Sequence, residues 1–212
     1  MYNTIMFDLD GTLTDPKEGI TKCVQYALMK MGITENNLDN LLPFIGPPLV
    51  DAFMKFYNMT SEDAHKALNY YRERFTTVGM FENEVISGIP EMLKKLKDGG
   101  KTLLVATSKP RVYAEKILKH FNLTEYFEVI SGPELNETTN TKDEIIAGLL
   151  KDFNDNPVMV GDRRQDVIAA HMCNIPCIGV RFGYAEDGEL ENAKADKIAE
   201  SVNELYALLN YK

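Results

Sequence analysis

Two acidic residues follow the first apolar run of the sequence. The run over residues 2–7 is short and apolar, which predicts a buried strand, and it leads directly into Asp8, Leu9 and Asp10. Side chains two residues apart on an extended chain point to the same side, so we expect the carboxylates of Asp8 and Asp10 to be neighbours. Paired carboxylates can bind a divalent cation, attack phosphorus or transfer a proton.

Further polar residues close later apolar runs, and one lysine stands before a helix. Ligands of parallel α/β sheets bind beyond the carboxyl ends of the strands, so we expect these residues to share one edge. Two like charges about 4 Å apart repel by about 4 kcal/mol at an effective dielectric near 20, so four carboxylates there require a cation. Oxygen ligands suit Mg²⁺, which also accepts phosphate oxygens. The residues assigned to this edge are Asp8, Asp10, Thr107, Ser108, Lys142, Asp162 and Asp166.

This set of residues predicts phosphoryl transfer through an aspartyl phosphate. Asp8 is the expected nucleophile, because carboxylate attack on phosphorus divides hydrolysis into two easier steps. Asp10 is the expected acid that protonates the departing alkoxide and then the base that activates water. Thr107, through its hydroxyl and backbone N–H groups, and Lys142, through its charge, are expected to stabilise the phosphoryl oxygens.

Structural interpretations compete with these roles. Hydroxyl residues such as Thr107 commonly close strands or cap helices, and Asp166 is of a type favoured in the first turn of a helix. Lys101 and Lys109 compete with Lys142, since most lysines are solvated surface charges. We favour Lys142 because it precedes a predicted helix at the expected point.

Apolar periodicity predicts helices first and an alternation of helices and strands afterwards. The alternation implies a parallel sheet with helices on both faces, an α/β fold. We expect an α/β core from residues 1–15 and 84–212, and an inserted all-helical domain over residues 16–83. The predicted helices are 17–31, 50–57, 61–75 with Ser61 as its N-cap, 89–97, 112–120, 143–150, 167–173 and 202–209, and the predicted strands are 2–7, 102–106, 127–130, 158–160 and 177–180.

The composition argues against several classes of partner. The 212 residues are 44% hydrophobic, and 23 basic against 32 acidic side chains give a formal net charge of −9. Binding to nucleic acid or to anionic lipid requires clustered Lys and Arg, so we expect no nucleic acid and no membrane partner. Three cysteines and the lack of a long apolar stretch favour a cytoplasmic protein. We expect a small-molecule substrate and a monomer or weak homodimer.

Four motifs in order resemble those of the haloacid dehalogenase superfamily. They are DLDGT at residues 8–12, VATS at 105–108, TKDEIIAGLL at 141–150 and VGDRRQD at 160–166. The resemblance implies a Rossmann-like core and a helical cap of the type C1. It also implies Mg²⁺ ligation by Asp8, the Asp10 backbone carbonyl and Asp162, with Asp166 supporting them, and phosphate binding by Thr107, Ser108, Lys142 and Gly11.

Two longer segments are similar to the phosphoglycolate phosphatase branch, members of which are also described as 5′-nucleotidases. These segments are FIGPPL at 44–49, in which Gly46 is a candidate substrate contact, and SGPELNETTNTKDEI at 131–145. Gln165 replaces the His expected in that branch. We therefore expect a Mg²⁺-dependent phosphatase acting on a small phosphate monoester, phosphoglycolate phosphatase-like. The alternatives are a 5′-nucleotidase, a sugar phosphomutase and a phospho-accepting receiver domain for signalling.

Overall fold

The chain divides into two compact units in a computed structural model that describes residues 1–135 and 141–210. One unit contains Met1–Asp15 and Val85–Lys212, and the other contains Pro16–Glu84. Residues 136–140 of the segment that resembles the phosphoglycolate phosphatase branch lie outside the described residues. Within the described part of the chain, no helix has both the length and the apolar character needed to cross a membrane.

Helices and strands alternate along most of the first unit. In chain order the elements are β1 (Thr4–Phe7), β2 (Thr14–Asp15), α1 (Lys17–Lys30), α2 (Leu49–Tyr57), α3 (Ser61–Phe75), β3 (Glu84–Val85), α4 (Ile89–Asp98), β4 (Thr102–Ala106), α5 (Arg111–His120), β5 (Val129–Ser131), α6 (Lys142–Leu150), β6 (Pro157–Gly161), α7 (Arg164–Met172), β7 (Cys177–Val180), α8 (Glu189–Asn192), β8 (Lys197–Ala199) and α9 (Val202–Asn210). Short 3₁₀ helices span Leu38–Phe44, Gly79–Phe81 and Thr124–Tyr126.

The first unit is built on a parallel sheet. Among the described residues this sheet has six strands in the order β5-β4-β1-β6-β7-β8. Phe7 of β1 pairs with Val105 of β4 and with Val160 of β6, so the residues that follow these three strands emerge at one edge. The chain extends the sheet in one direction through β4 and β5 and in the other through β6, β7 and β8. The predicted α/β fold is therefore confirmed, and the strand order reverses between β1 and β6, the usual place of a ligand site.

Apolar burial explains why β1 occupies the centre of the sheet. Its residues Ile5, Met6 and Phe7 have no exposed surface, as expected for a parallel strand covered on both faces. Helix α4 buries Ile89, Met92, Leu93 and Leu96, the spacing of one helical face. A second group of buried residues joins four strands to α6 and α7: Met6, Leu104, Met159, Cys177, Ile146, Leu149, Val167 and Ala170.

The second unit contains α1, α2 and α3. Helix α1 buries Ile20, Val24 and Leu28, three of the four residues whose spacing predicts the helix. The N-cap of α3 is Thr60 rather than Ser61, because the Thr60 hydroxyl accepts a hydrogen bond of 3.1 Å from the Asp63 N–H. Ser61 is instead the first helical residue, a correction of one position.

Three other element boundaries differ from the sequence-based expectation. Strand β5 begins at Val129 instead of residue 127, because the Phe127 N–H closes a 3₁₀ turn on the Thr124 carbonyl. Helix α7 begins at Arg164 instead of residue 167, since a carboxylate in its first turn satisfies a backbone donor there. Strand β8 is a strand that the sequence pattern did not predict; its three residues are too few to show a period.

Alanine in place of two helical glycines should change stability in opposite directions. At Gly19 in α1 a Cβ would lie 2.0 Å from the Gly79 carbonyl oxygen, so we expect Gly19→Ala to lower the free energy of unfolding by about 1–3 kcal/mol. At Gly148 in α6 a Cβ would meet nothing within 4 Å, so Gly148→Ala should raise it by up to about 1 kcal/mol. Urea denaturation measures both; a gain of stability from Gly19→Ala would contradict the packing described for α1.

Candidate active site

Asp8 and Lys142 form a buried ion pair at the carboxyl edge of the sheet. Asp8 follows β1, and its backbone N–H donates to the Val160 carbonyl at 2.8 Å, which extends the pairing with β6 by one residue. Oδ1 of Asp8 lies 2.9 Å from Nζ of Lys142, and each side chain is 7% exposed. Lys142 is the first residue of α6, whose N-terminus is closed by the Glu144 carboxylate accepting from the Thr141 N–H at 3.0 Å. The start of α6 thus places a cation beside Asp8.

Asp166 lies on the other side of the same lysine. One carboxylate oxygen pairs with Lys142 Nζ, and the other accepts a hydrogen bond of 2.9 Å from the Arg163 N–H. The side chain packs against Gly161, where a Cβ would lie 2.1 Å from Asp166 Cγ. Because both oxygens of Asp166 already accept from donors, its position suits a group that orients Lys142.

Asp162 is held by three backbone and side-chain groups. Its Oδ2 accepts a hydrogen bond of 2.8 Å from the Tyr184 N–H, and its Oδ1 accepts one of 3.3 Å from the Thr12 hydroxyl. Gly11, at φ 82°, and Gly183 approach it so closely that a Cβ on either would lie less than 2.5 Å from an Asp162 side-chain atom. Glycine is therefore required at both positions for the carboxylate to occupy this place.

The carboxylate of Asp10 has a different cationic partner from that of Asp8. Lys109 Nζ lies 2.7 Å from Asp10 Oδ2, and the two side chains are 7% and 12% exposed. Oδ1 of Asp10 is buried and has no hydrogen-bond partner. Asp8 and Asp10 thus lie at the same edge of the sheet but form separate ion pairs.

Three carboxylates converge at this edge. Among the residues that the structure describes, oxygen atoms of Asp8, Asp162 and Asp166 lie within 4.8 Å of one another. Burial raises the pKa of the Asp162 carboxyl well above its ordinary value, and the neighbouring Asp166 and Asp8 carboxylates add to the shift. Burial likewise raises the pKa of Asp166 to about 6, although Lys142 opposes the shift. The cluster is therefore a place where negative charge is poorly compensated.

The two lysines and Asp10 follow the same physical logic. Burial alone would lower the pKa of Lys142, but the carboxylates of Asp166 and Asp8 raise it above its ordinary value. The ammonium of Lys142 is therefore charged throughout the physiological range. Burial raises the pKa of Asp10, and Lys109 only partly offsets this effect.

Thr107 and Ser108 follow β4 at the same edge. The Thr107 N–H donates to the Ser131 carbonyl at 3.1 Å, and its hydroxyl accepts from the Lys109 N–H at 3.2 Å. The expectation that Thr107 offers its own backbone N–H to phosphate is therefore corrected, since the neighbouring strand uses that donor. Gly46 lies in the other unit, at φ 107° between the 3₁₀ helix Leu38–Phe44 and α2, and its contact with a substrate stays a prediction.

Sequence reasoning missed Tyr184 and Gly183 and ranked Lys109 below Lys142. Gly183 and Tyr184 follow β7, the strand next to β6, and Tyr184 also donates its hydroxyl to the Asp15 carboxylate. The rule that ligands bind beyond the carboxyl ends of parallel strands would have found them, because the strand over residues 177–180 was itself predicted. Lys109 carries no comparable signal, since an ion pair with Asp10 depends on the loop conformation.

A family comparison identifies the class of protein. Residues 5–180 match the model of the haloacid dehalogenase-like hydrolase family, which spans the sheet, the second unit and all the clustered residues. The chain belongs to this family. The resemblance inferred from the four motifs is confirmed.

Curated relatives with high identity carry several names. The chain is 47% identical to a 5′-nucleotidase of Pseudomonas aeruginosa over 89% of this chain and 87% of that protein. It is 34% identical to the tyrosine-protein kinase PtkA of Mycobacterium tuberculosis over 85% of this chain and 62% of that protein. It is 28% identical to a phosphoglycolate phosphatase of Agrobacterium fabrum over 85% of this chain and 81% of that protein.

Solved structures give the same class. A predicted phosphatase from Clostridium acetobutylicum is 47% identical and superposes with a TM-score of 0.94 over 99% of this chain and 98% of that chain. Together with the family match, these relatives confirm the prediction that the protein is a phosphatase of the haloacid dehalogenase superfamily.

Removing one charge from the cluster should stabilise the metal-free protein. We expect Asp162→Asn to raise the free energy of unfolding in EDTA by about 1 kcal/mol, or the melting temperature by about 3 °C, because it preserves shape while relieving repulsion from Asp8 and Asp166. Asp187→Asn is the control, since Asp187 is exposed. Thermal denaturation in EDTA measures both, and a destabilised Asp162→Asn protein would contradict the electrostatics described above.

Proposed function

We propose that the protein is a Mg²⁺-dependent phosphatase that hydrolyses a small phosphate monoester through a phosphoaspartate on Asp8. The observation that supports this most is the buried pairing of Asp8 Oδ1 with Lys142 at 2.9 Å, beside two further buried acids. A carboxylate at the switch point of a parallel sheet, with its charge balanced by a lysine, is suitably placed to attack phosphorus.

The acidic residues fit a divalent cation in number and in chemistry. Four buried carboxylates face two buried lysines, an excess of two negative charges when all are ionised. The donors are oxygen atoms only, the preference of Mg²⁺. Asp8, Asp162 and the backbone carbonyl of Asp10 would hold the ion, with Asp166 supporting them through Lys142. A bound Mg²⁺ supplies positive charge that offsets the developing charge of the phosphoryl group.

The protein's own groups divide the remaining work. In the first step Asp8 attacks phosphorus while Asp10 donates a proton to the leaving oxygen, and in the second Asp10 accepts a proton from the attacking water. Lys142 offsets the charge of the phosphoryl oxygens and orients Asp8. The Thr107 hydroxyl, Ser108 and the backbone of Gly11 contribute further donors for those oxygens.

Nucleoside 5′-monophosphates are the substrates that we propose to test first. The Pseudomonas aeruginosa relative named 5′-nucleotidase is 47% identical, whereas the Agrobacterium fabrum phosphoglycolate phosphatase is 28% identical. This difference places the nucleotide alternative ahead of phosphoglycolate, which remains the second candidate. A sugar phosphomutase has no comparable support, and membership of a hydrolase family disfavours a receiver domain.

Asp8→Asn should abolish turnover without unfolding the protein. We expect phosphate release to fall by at least about 10³-fold, because an amide is a poor nucleophile, while Lys142 keeps Asp166 as its partner. Phosphate release and circular dichroism measure the two effects, with Asp187→Asn as the control. Retention of wild-type turnover would show that another group is the nucleophile.

A phosphate-release panel tests the metal and the substrate together. The panel contains a nucleoside 5′-monophosphate, the matched 3′-monophosphate, phosphoglycolate, glucose 6-phosphate and p-nitrophenyl phosphate, each with Mg²⁺ and with EDTA. We expect release only with Mg²⁺ and a kcat/KM about tenfold higher for the 5′-nucleotide than for the 3′-nucleotide. Undiminished release in EDTA would disprove the metal dependence, and preference for phosphoglycolate would reverse the order of the substrates.

A further inference from the structure

Lys109 is a buried cation to which the proposed mechanism gives no role. Its Nζ lies 2.7 Å from Asp10 Oδ2, and its side chain is 7% exposed. A buried ammonium costs free energy unless a partner compensates it, so burial at this position requires a partner such as Asp10. Lys109 is thus more than a surface charge beside the site.

The backbone of Lys109 is fixed from two sides. Its N–H donates to the Thr107 hydroxyl at 3.2 Å. A Cβ at Gly132 would lie 2.4 Å from the Lys109 carbonyl oxygen, so the chain after β5 packs directly against this residue. Helix α5 begins two residues later, at Arg111. The ammonium therefore extends from a restrained point at the edge of the sheet.

The two oxygens of the Asp10 carboxyl have different surroundings. Oδ2 is engaged by Lys109, whereas Oδ1 is buried and accepts no hydrogen bond. A buried oxygen without a partner is costly in a native protein unless function requires it. The ion pair with Lys109 also restricts rotation of the carboxyl group, which keeps the two oxygens distinct.

We propose that Lys109 is a positioning residue that anchors Oδ2 of Asp10 and so presents Oδ1 for proton transfer to the leaving group. This inference rests on the proposed function, in which Asp10 is the proton donor. As the bond from Asp8 to phosphorus forms, the bond from phosphorus to the leaving oxygen breaks. The leaving oxygen keeps the electron pair of that bond and takes the proton from Asp10 Oδ1.

The leaving group separates this role from direct phosphate binding or from general stabilisation. An alkoxide leaves poorly without a proton, whereas p-nitrophenolate leaves readily without one. Misplacing Asp10 should therefore impair hydrolysis of a nucleoside 5′-monophosphate much more than hydrolysis of p-nitrophenyl phosphate. Loss of a phosphate-binding cation or of stability would impair both esters alike.

The test compares kcat/KM for these two esters with Mg²⁺ in wild type, Lys109→Met, Lys109→Arg and Lys116→Met. We expect Lys109→Met to lose about 100-fold with the nucleotide and less than about fivefold with the aryl ester. Lys109→Arg should restore part of the loss, because it retains a charged donor. Lys116, exposed on the same helix α5, is the matched control, and Lys116→Met should resemble wild type with both esters.

A second comparison covers the case in which Lys109→Met does not fold. Asp10→Asn and the double variant Asp10→Asn/Lys109→Met leave no unpaired charge in the double variant, and we expect the added substitution to change kcat/KM for the nucleotide less than about twofold. Equal losses with both esters, or a large further loss in the double variant, would overturn the role of Lys109. Failure of wild type to release phosphate from either ester would instead overturn the proposed function itself.

Discussion

The charge on Lys142 is the constraint on which the arrangement of the site depends. A buried ammonium between the carboxylates of Asp8 and Asp166 is favourable only when α6 starts at this residue and β1 and β6 end beside it. Those strand ends are fixed by the pairing of Phe7 with Val160 in the middle of an apolar sheet. Core packing thus provides the rigid frame, and the frame allows charges to lie in a place where they would otherwise be unstable.

Close backbone approach is the second requirement of the site. Gly11, Gly161 and Gly183 each lie where a Cβ would overlap a carboxylate side chain of Asp162 or Asp166. The space that a side chain would fill is instead occupied by the acids themselves, which are held by N–H donors of Arg163 and Tyr184. Buried acids with raised pKa values tend to mark functional sites, since a stable fold alone does not require them.

The distribution of the two lysines gives the two aspartates of the first motif different chemical properties. Asp8 shares Lys142 with Asp166, whereas Asp10 has Lys109, and burial raises the pKa of Asp10. An acid and a nucleophile two residues apart must differ in protonation to act in the same step, and separate ion pairs provide this difference. Family membership is consistent with that division of roles, and the substrate remains a matter for the residues that contact the leaving group.

The order of apolar runs and polar strand ends by itself determined the α/β class, the two-part organisation of the sequence and the list of acids to inspect. Local patterns suffice for these because helical and strand periods, and the polar residues that end them, are properties of short segments. Only the tertiary structure decided that Lys109 pairs with Asp10, that the Thr107 N–H is used by Ser131, and that Tyr184 holds Asp162. Such pairings join residues distant in sequence, so they depend on strand register and loop conformation, which no local period encodes.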